Sequence, residues 1–179
     1  KVAQRLKKEK VAAIYSSDLL RAVETANIVS SYLENVPHFT KEELREIDFG
    51  DLTGHTDEYN ETHYGDFLSN RKSMIEDLAF PGGENGQQVY DRAIKVIKEI
   101  TKQNYERVAI VTHGGTIRSL VAGLLKMRQA DKLLFAVSLE NSSITEVIYE
   151  EGSNRFYLER FNDYSHLEVK PELLRNYWK

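Results

Sequence analysis

The sequence contains no cysteine and no long apolar run, and it has only three prolines. Without cysteine the chain forms no disulfide scaffold and no thiolate metal site or nucleophile. We therefore expect a reducing compartment, with the cytoplasm as the default. The longest apolar runs are too short to cross a bilayer, and the first residues do not resemble a signal peptide. We expect no association with membranes.

The sequence also lacks an excess of positive charge. It has 24 lysines and arginines against 28 acidic residues, a formal net charge of −4. This balance argues against a nucleic-acid-binding surface, so any anion pocket must be local. The 179 residues, 41% of them hydrophobic, suit a single domain that spans 1–179.

Several catalytic motifs are missing. The sequence has no G-x-S-x-G elbow, no G-x-x-x-x-G-K-[ST] loop and no H-E-x-x-H helix, which disfavours a serine hydrolase, a P-loop NTPase and a zincin. Four histidines have no metal-like spacing and are interpreted as surface or structural residues: His38, His55, His63 and His166. We expect no metal and no cofactor.

One stretch, VAIVTHGGTIR, combines an apolar run with a histidine and two glycines. The β-branched residues at 108–112 predict a strand buried on both faces, with His113 at its carboxyl end. Gly114 and Gly115 permit a sharp turn and close approach of another group to the backbone. Ligands bind at this edge of open α/β sheets.

A helix follows the two glycines. Thr116 is expected to cap it, and the apolar pattern extends it to about Met127. The first turn of a helix offers unpaired N–H groups and the positive end of a dipole, so an anion is its natural ligand. The hypothesis is a phosphate beside an imidazole.

The pattern of strand, polar turn and helix occurs twice. Residues 11–15 predict another short buried strand, and Ser16, Ser17 and Asp18 would cap the helix after it. Arg21 lies in the first turn of that helix, on a different face from its apolar stripe, and hence near a second strand end. The stripe consists of Leu19, Ala22, Ala26, Val29 and Leu33.

The remaining segments complete an α/β fold. Residues 40–54 form a loop that contains Glu46, and the polar, aromatic segment 55–80 is interpreted as a partly helical flap over the site. Residues 86–103 predict a helix that packs on the sheet, and a hairpin around Gly152 is expected at the sheet edge. We predict a three-layer sandwich, a mostly parallel sheet with helices on both faces.

Arg21, Glu46 and His113 together match the needs of phosphoryl transfer. This reaction requires a cation on the phosphoryl oxygens, a proton donor for the leaving oxygen and a nucleophile. Arg21 and Glu46 could fill the first two roles. An imidazole could attack phosphorus or stabilise the transferring group.

The sequence resembles the histidine phosphatase superfamily, in its phosphoglycerate mutase-like branch. The matching pieces are YSSDLLRAVETA, LREIDFGDLTG, PGGEN and VTHGGTIR. The resemblance implies that Arg21 binds the transferring phosphate, that Glu46 is the general acid and base, and that His113 is the second histidine of the pocket. Gly114 would donate a backbone N–H to the phosphate.

Within the family, the closing segments LENSSITEV and FNDYSHL look most like those of α-ribazole phosphate phosphatases and broad-specificity phosphatases. The resemblance therefore implies a metal-independent phosphomonoesterase that works through a phosphohistidine. Its partner would be inorganic phosphate or a small phosphorylated substrate, with α-ribazole 5'-phosphate as one candidate. Substrate choice would come from the flap and from positions around Glu84, and the oligomeric state stays open.

The sequence departs from the family at one point. Family members use a nucleophilic histidine in an Arg-His-Gly signature on the first strand, and this sequence does not contain that signature. Because that strand lies inside the family's sheet, we expect unpaired backbone groups and an exposed apolar seam where it is absent. The expectation is a segment upstream of Lys1 or an assembly that covers the seam. The alternatives are a phosphoglycerate mutase and a non-catalytic phosphate-binding remnant.

Overall fold

The computed structural model describes residues 1–34 and 36–175. Its α-helices are α1 (Val2–Leu6), α2 (Leu20–Tyr32), α3 (Asp57–Lys72), α4 (Gly86–Ile100), α5 (Gly114–Leu124) and α6 (Ser165–Glu168). Its strands are β1 (Ala13–Ser16), β2 (His38–Thr40), β3 (Val108–Val111), β4 (Ile144–Glu150) and β5 (Arg155–Asp163). Short 3₁₀ turns lie at Lys7–Glu9, Glu42–Leu44, Gly50–Leu52, Gln129–Leu134 and Pro171–Leu173.

Three of the strands form a parallel sheet in the order β2, β1, β3. Ile14 of β1 pairs with His38 on one side and with Ala109 on the other. Alternate residues of a strand face opposite sides, so Ile14 packs against α1 and α2, whereas Ala13 and Tyr15 pack against α4 and α5. The predicted three-layer α/β architecture is confirmed.

In the part of the chain that the structure describes, β3 is an edge of this sheet. It pairs with β1 along one side, and its four apolar residues are only half-buried, whereas those of β1 are fully buried. The seam expected from the sequence, where a further strand would pair, stays a prediction. Across the described ranges, none of the helices combines the length and the apolar character that crossing a membrane requires.

The hairpin at the end of the chain is confirmed, but its predicted attachment to the sheet edge is wrong. β4 and β5 pair antiparallel around Gly152 and form a separate two-stranded sheet. A hairpin satisfies its inner backbone groups within itself, so it can form without joining a larger sheet. Apolar periodicity in the sequence predicts where strands form, but it does not predict which strands pair with each other.

The start of α5 differs from the prediction. The helix begins at Gly114, with His113 in extended conformation (φ −125°, ψ 163°) as its N-cap, and ends at Leu124 rather than near Met127. Thr116 therefore lies in the first turn and is not the cap. Its hydroxyl donates instead to the carbonyl of Arg45, at 2.6 Å, because the loop that contains Glu46 packs against this turn.

The start of α2 also differs. The helix begins at Leu20, with Leu19 at the N-cap, so Ser16 and Asp18 do not cap it. Ser17 Oγ accepts a hydrogen bond from the N–H of Leu19 at 3.2 Å, which orders the turn before the helix. The strand β2 was not predicted, because it has only three residues and follows a proline.

The segment 55–80 contains α3, which begins nearer to the start of the segment than the sequence indicated. No residue of α3 is fully buried. Phe67 and Leu68 nevertheless pack on a small apolar cluster that includes Phe80. Asp77 then accepts hydrogen bonds from the first N–H groups of α4, which fixes the end of the segment to that helix. Its action as a flap stays a prediction.

Candidate active site

The candidate site lies where the parallel strands end. The N–H of Ser17 donates to the carbonyl of Val111 at 2.9 Å, so the chain leaves β1 beside the end of β3. The N–H of Lys41 donates to the carbonyl of Ser16 at 2.8 Å and brings the chain after β2 to the same edge. Parallel pairing therefore gathers Arg21, His113 and Glu46, the three residues that the sequence singled out, on one edge of the sheet.

Arg21 and His113 are in direct contact. The Nε–H of Arg21 donates to Nδ1 of His113 at 3.2 Å. A neutral imidazole has one acceptor and one donor nitrogen, so this bond places the proton of a neutral His113 on Nε2. Among the described residues, Nε2 is buried and has no hydrogen-bond partner. A buried N–H donor beside a guanidinium suits an anionic oxygen.

Burial is the main influence on the charge of His113, whose side chain is 8% exposed. Burial lowers the pKa of the imidazole below its usual value, and the nearby cations Arg21 and Arg92 lower it further. The carboxylates of Glu46 and Asp18 act in the opposite direction without reversing the shift. His113 is therefore neutral at pH 7.

The carboxylate of Glu46 rests on the N-terminus of α5. Oε1 accepts from the N–H of Ile47 at 2.9 Å and from that of Thr116 at 3.2 Å, and Oε2 accepts from that of Gly115 at 3.2 Å. A Cβ added at Gly115 would lie 2.6 Å from Glu46 Oε1, so only glycine permits this approach. The helix dipole favours a negative charge here.

This arrangement corrects the expectation for the first turn of α5. The turn does hold an anion, but the anion at Gly115 and Thr116 is the chain's own carboxylate rather than a phosphate. The N–H of Gly114 has no partner within the described ranges, and its donation to a phosphate stays a prediction. A Cβ at Gly114 would lie 3.9 Å from Nη1 of Arg118, a second guanidinium near the turn.

Sequence reasoning did not identify the ion pair beside Glu46. Arg45 Nε donates to Oδ1 of Asp18 at 2.8 Å, which ties the Glu46 loop to the end of β1. Hydrogen bonding from Arg45 lowers the pKa of the Asp18 carboxyl, although burial acts in the opposite direction. Both residues lie inside the quoted motifs, but their spacing of 27 residues carries no local signal.

The remaining four histidines have surface or structural environments, as the sequence analysis interpreted them. His38 lies 2.7 Å from Ser16 Oγ, and His166 lies 3.0 Å from the carbonyl of Ser142. His55 and His63 stack on opposite sides of Tyr59, with ring centroids 4.2 and 3.9 Å away. Within the described part of the chain, no group of three metal-binding side chains is close enough to hold a metal ion.

A guanidinium, a neutral imidazole and a backbone-held carboxylate thus lie together at the carboxyl edge of the parallel sheet. The family model of the histidine phosphatase superfamily (branch 1) matches residues 1–164. The chain belongs to this superfamily, as its motifs indicated.

Two curated relatives come from Arabidopsis thaliana. Phosphoglycerate mutase-like protein 4 is 35% identical over 176 residues, which cover 94% of this chain and 72% of the relative. A metal-independent phosphoserine phosphatase is 31% identical over 183 residues, which cover 98% of this chain and 72% of the relative.

Solved structures share the fold. A mycobacterial glucosyl-3-phosphoglycerate phosphatase in complex with VO3 superposes with a TM-score of 0.80 at 28% identity, covering 90% of this chain and 81% of that chain. The α-ribazole phosphatase of Shigella flexneri reaches a TM-score of 0.71 at 22% identity, covering 90% of this chain and 80% of that chain. At this identity the likeness to the α-ribazole phosphatase shows the fold alone.

Proposed function

We propose that the protein is a metal-independent phosphomonoester hydrolase that works through a phosphohistidine intermediate. The observation that carries the proposal is the contact of Arg21 with Nδ1 of His113, which leaves a buried Nε2–H and a guanidinium beside the carboxylate of Glu46. These are the donors and the acid–base group that transfer of a phosphoryl group requires. The named activities of the phosphatase relatives support it.

In the first proposed step, a nucleophilic histidine attacks phosphorus and the ester oxygen leaves. Arg21, the Nε2–H of His113 and the N–H of Gly114 hold the phosphoryl oxygens. Glu46, which enters this step in its protonated form, gives its proton to the leaving oxygen and becomes a carboxylate. Water then attacks the phosphohistidine, Glu46 takes the proton of that water, and inorganic phosphate is released.

None of the described imidazoles fits the role of nucleophile. His113 accepts from Arg21 through Nδ1, so Nε2 bears a proton and acts as a donor rather than as an attacking atom. No histidine of this sequence stands in an Arg-His-Gly signature. The proposed nucleophile is therefore a histidine other than these five.

The proposed substrates are small phosphate esters, with α-ribazole 5'-phosphate among them. Relatives are named for phosphoserine and for glucosyl-3-phosphoglycerate, two esters that carry a carboxylate near the phosphate. Residues 55–80, as a flap, and the positions around Glu84 would select among such esters. The absence of cysteine supports a reducing compartment such as the cytoplasm.

The decisive experiment is hydrolysis of p-nitrophenyl phosphate in the presence of a metal chelator, with acid-labile phosphate on the protein measured after rapid quenching. We expect hydrolysis to continue in the presence of the chelator, and we expect acid-labile phosphate bound to the protein after quenching. Replacing Arg21 by alanine should lower kcat/KM by about 10²-fold to 10³-fold, as expected when one preorganised donor is removed. Turnover that requires a metal, or an unchanged rate without Arg21, would refute the proposal.

A mutase is the second candidate, because one relative is named as phosphoglycerate mutase-like. The same site would then return the phosphoryl group to a bound intermediate instead of to water. Incubation with 3-phosphoglycerate and a trace of its bisphosphate separates the two reactions. Isomerisation without release of phosphate identifies a mutase, and release of phosphate identifies a phosphatase. Binding of phosphate with neither reaction identifies a non-catalytic remnant.

A further inference from the structure

Arg92, on α4, is a partly buried cation to which the proposed reaction gives no role. All five N–H donors of its guanidinium are used. Nε and Nη2 donate to the two carboxylate oxygens of Glu84 at 2.8 and 2.9 Å. The other donors reach backbone carbonyls of the Glu46 loop at 2.6–3.1 Å, namely those of Glu43, Arg45 and Glu46.

The carbonyls of this loop are held one after another. The carbonyl of Leu44 lies between carbonyls that Arg92 binds, and it accepts from Thr112 Oγ1 at 2.7 Å. The carbonyl of Arg45 accepts both from Arg92 and from Thr116 Oγ1, the latter at 2.6 Å. Thr112 follows β3 and directly precedes His113, and Thr116 lies in the first turn of α5. Four successive carbonyls before and at Glu46 are therefore fixed by side chains from α4 and from the strand–helix unit that carries His113.

Glu84 holds the guanidinium in this orientation. Its carboxylate also accepts from the N–H of Asp48 at 3.0 Å, so it contacts the chain on the far side of Glu46. Burial raises the pKa of Glu84, but Arg92 and that N–H lower it more, and the net shift is downward. Glu84 is thus charged at neutral pH, and its two-point pairing fixes the plane of the guanidinium.

We propose that Arg92 is a positioning residue that sets the place of the Glu46 carboxylate for proton transfer to the leaving oxygen. This inference rests on the proposed role of Glu46 as general acid. Arg92 touches neither the phosphoryl site nor the Glu46 carboxylate and acts through the backbone of residues 43–46. Lysine cannot replace it, because an ammonium has three donors and no planar fork for five acceptors.

The test compares two esters that differ in their leaving group. p-Nitrophenolate leaves without help from a proton, whereas an alkyl alkoxide, as from glycerol phosphate, needs one. kcat/KM reports the phosphoryl-transfer step for both. We expect Arg92→Lys to lower kcat/KM for the alkyl ester on the order of ten-fold more than for the aryl ester. A displaced Glu46 slows only the alkyl ester, because only that leaving group needs a proton.

Two reference variants accompany the test. Glu46→Gln should show the same preference for the aryl ester, but larger, and the double variant should show no further selective loss. Lys95→Met, which removes a charge from the exposed face of the same helix, should leave both rates unchanged. Inhibition by inorganic phosphate should be the same in Arg92→Lys as in the parent, because the phosphate pocket is not altered.

Equal losses on both esters in Arg92→Lys, with a selective loss in Glu46→Gln, would overturn the positioning role alone. Equal losses on both esters in Glu46→Gln would overturn the proposed function of Glu46 itself. Glu84→Gln provides a second variant if Arg92→Lys does not fold. This variant keeps the bonds of Arg92 to the three backbone carbonyls, so kcat/KM for the alkyl ester should fall by less than in Arg92→Lys. An equal fall of kcat/KM for both esters would contradict the proposal.

Discussion

At the scale of single residues, the most informative group is the imidazole of His113. Its Nδ1 accepts from Arg21, and its Nε2–H is buried without a partner in the described ranges. An unsatisfied buried donor costs about 1–3 kcal/mol, which a phosphate oxygen would recover on binding. The buried Nε2–H of His113 thus favours a hydrogen-bond acceptor beside it.

The titration of His113 tests this environment. Because Arg21 is one of the cations that lower the pKa of His113, Arg21→Gln should raise that pKa towards its usual value. NMR of the imidazole C–H protons in phosphate-free buffer measures both proteins. Arg128→Gln, at an exposed position that is not among the influences on His113, should leave the titration unchanged. A midpoint that falls in Arg21→Gln would show that the cation is not acting on His113.

At the scale of elements, the N-terminus of α5 and the Glu46 loop form one unit. Gly115 makes the contact possible, since its missing side chain leaves the space that Glu46 Oε1 and Ile47 occupy. The capping box at the start of α4 fixes the other helix of this face, with Asn85 accepting from the N–H of Gln88 at 2.9 Å. Both elements therefore begin at positions set by specific side chains.

Gly115→Ala should displace the carboxylate of Glu46 while α5 still forms. A displacement of about 1 Å costs on the order of 10²-fold in rate, so kcat/KM for an alkyl phosphate should fall by that factor. The control is Gly152→Ala in the turn between β4 and β5, where an added Cβ meets nothing within 4 Å. It should keep full activity. Equal activity in the two variants would mean that the Glu46 contact with α5 has no part in catalysis.

Asn85→Ala removes the cap of α4. Loss of an asparagine cap costs about 1 kcal/mol of stability, and urea unfolding should show this decrease. Asn70→Ala, on the exposed part of α3, serves as the comparison and should cause no loss, because alanine favours helix more than asparagine does. Unchanged stability in Asn85→Ala would show that the capping box does not stabilise the helix.

At the scale of the whole molecule, one ion pair joins two segments that lie 158 residues apart in the sequence. Arg5 on α1 pairs with Asp163 at the end of β5 and donates to Ser165 Oγ at 2.8 Å. The hydrogen bond from Arg5 lowers the pKa of Asp163 far below its usual value, against an opposing effect of burial. This bond connects α1, which covers one face of the parallel sheet, to the segment after the hairpin.

The ion pair between Arg5 and Asp163 should make the free energy of unfolding depend on pH. The pKa of Asp163 is lower in the folded protein than in the unfolded chain. The bond with Arg5 therefore adds its full contribution to the free energy of unfolding above about pH 4, the usual Asp pKa, and this contribution is lost as the pH falls. Asp163→Asn should reduce the free energy of unfolding by about 1–2 kcal/mol at pH 7, with a shallower acid decline. Urea unfolding from pH 7 to pH 3 measures this.

Asp66→Asn is the control for that experiment, since Asp66 is exposed and forms no ion pair among the described residues. Its pH dependence should match that of the parent protein. An acid decline of the same slope in Asp163→Asn would show that another carboxyl group governs the acid transition.

The strands, the main helices and the layered fold were predictable, because apolar periodicity and turn residues act over short distances along the chain. The run at 108–112, the stripe of α2 and the cap at Asn85 each carry their own signal. The short strand β2 and the separate hairpin sheet were not predictable in the same way. The pairing of β2 with β1 joins residues more than 20 positions apart, and whether a hairpin also joins the parallel sheet depends on tertiary packing.

For the candidate site, the sequence by itself determined which residues are available at the strand ends: Arg21, Glu46, His113 and Gly114. Only the tertiary structure decided that Glu46 occupies the first turn of α5, that Arg21 sets the proton of His113, and that Arg92 holds the Glu46 loop. These contacts join residues 69, 92 and 46 positions apart. Contacts at such separations leave no local pattern, because they arise when the layers pack.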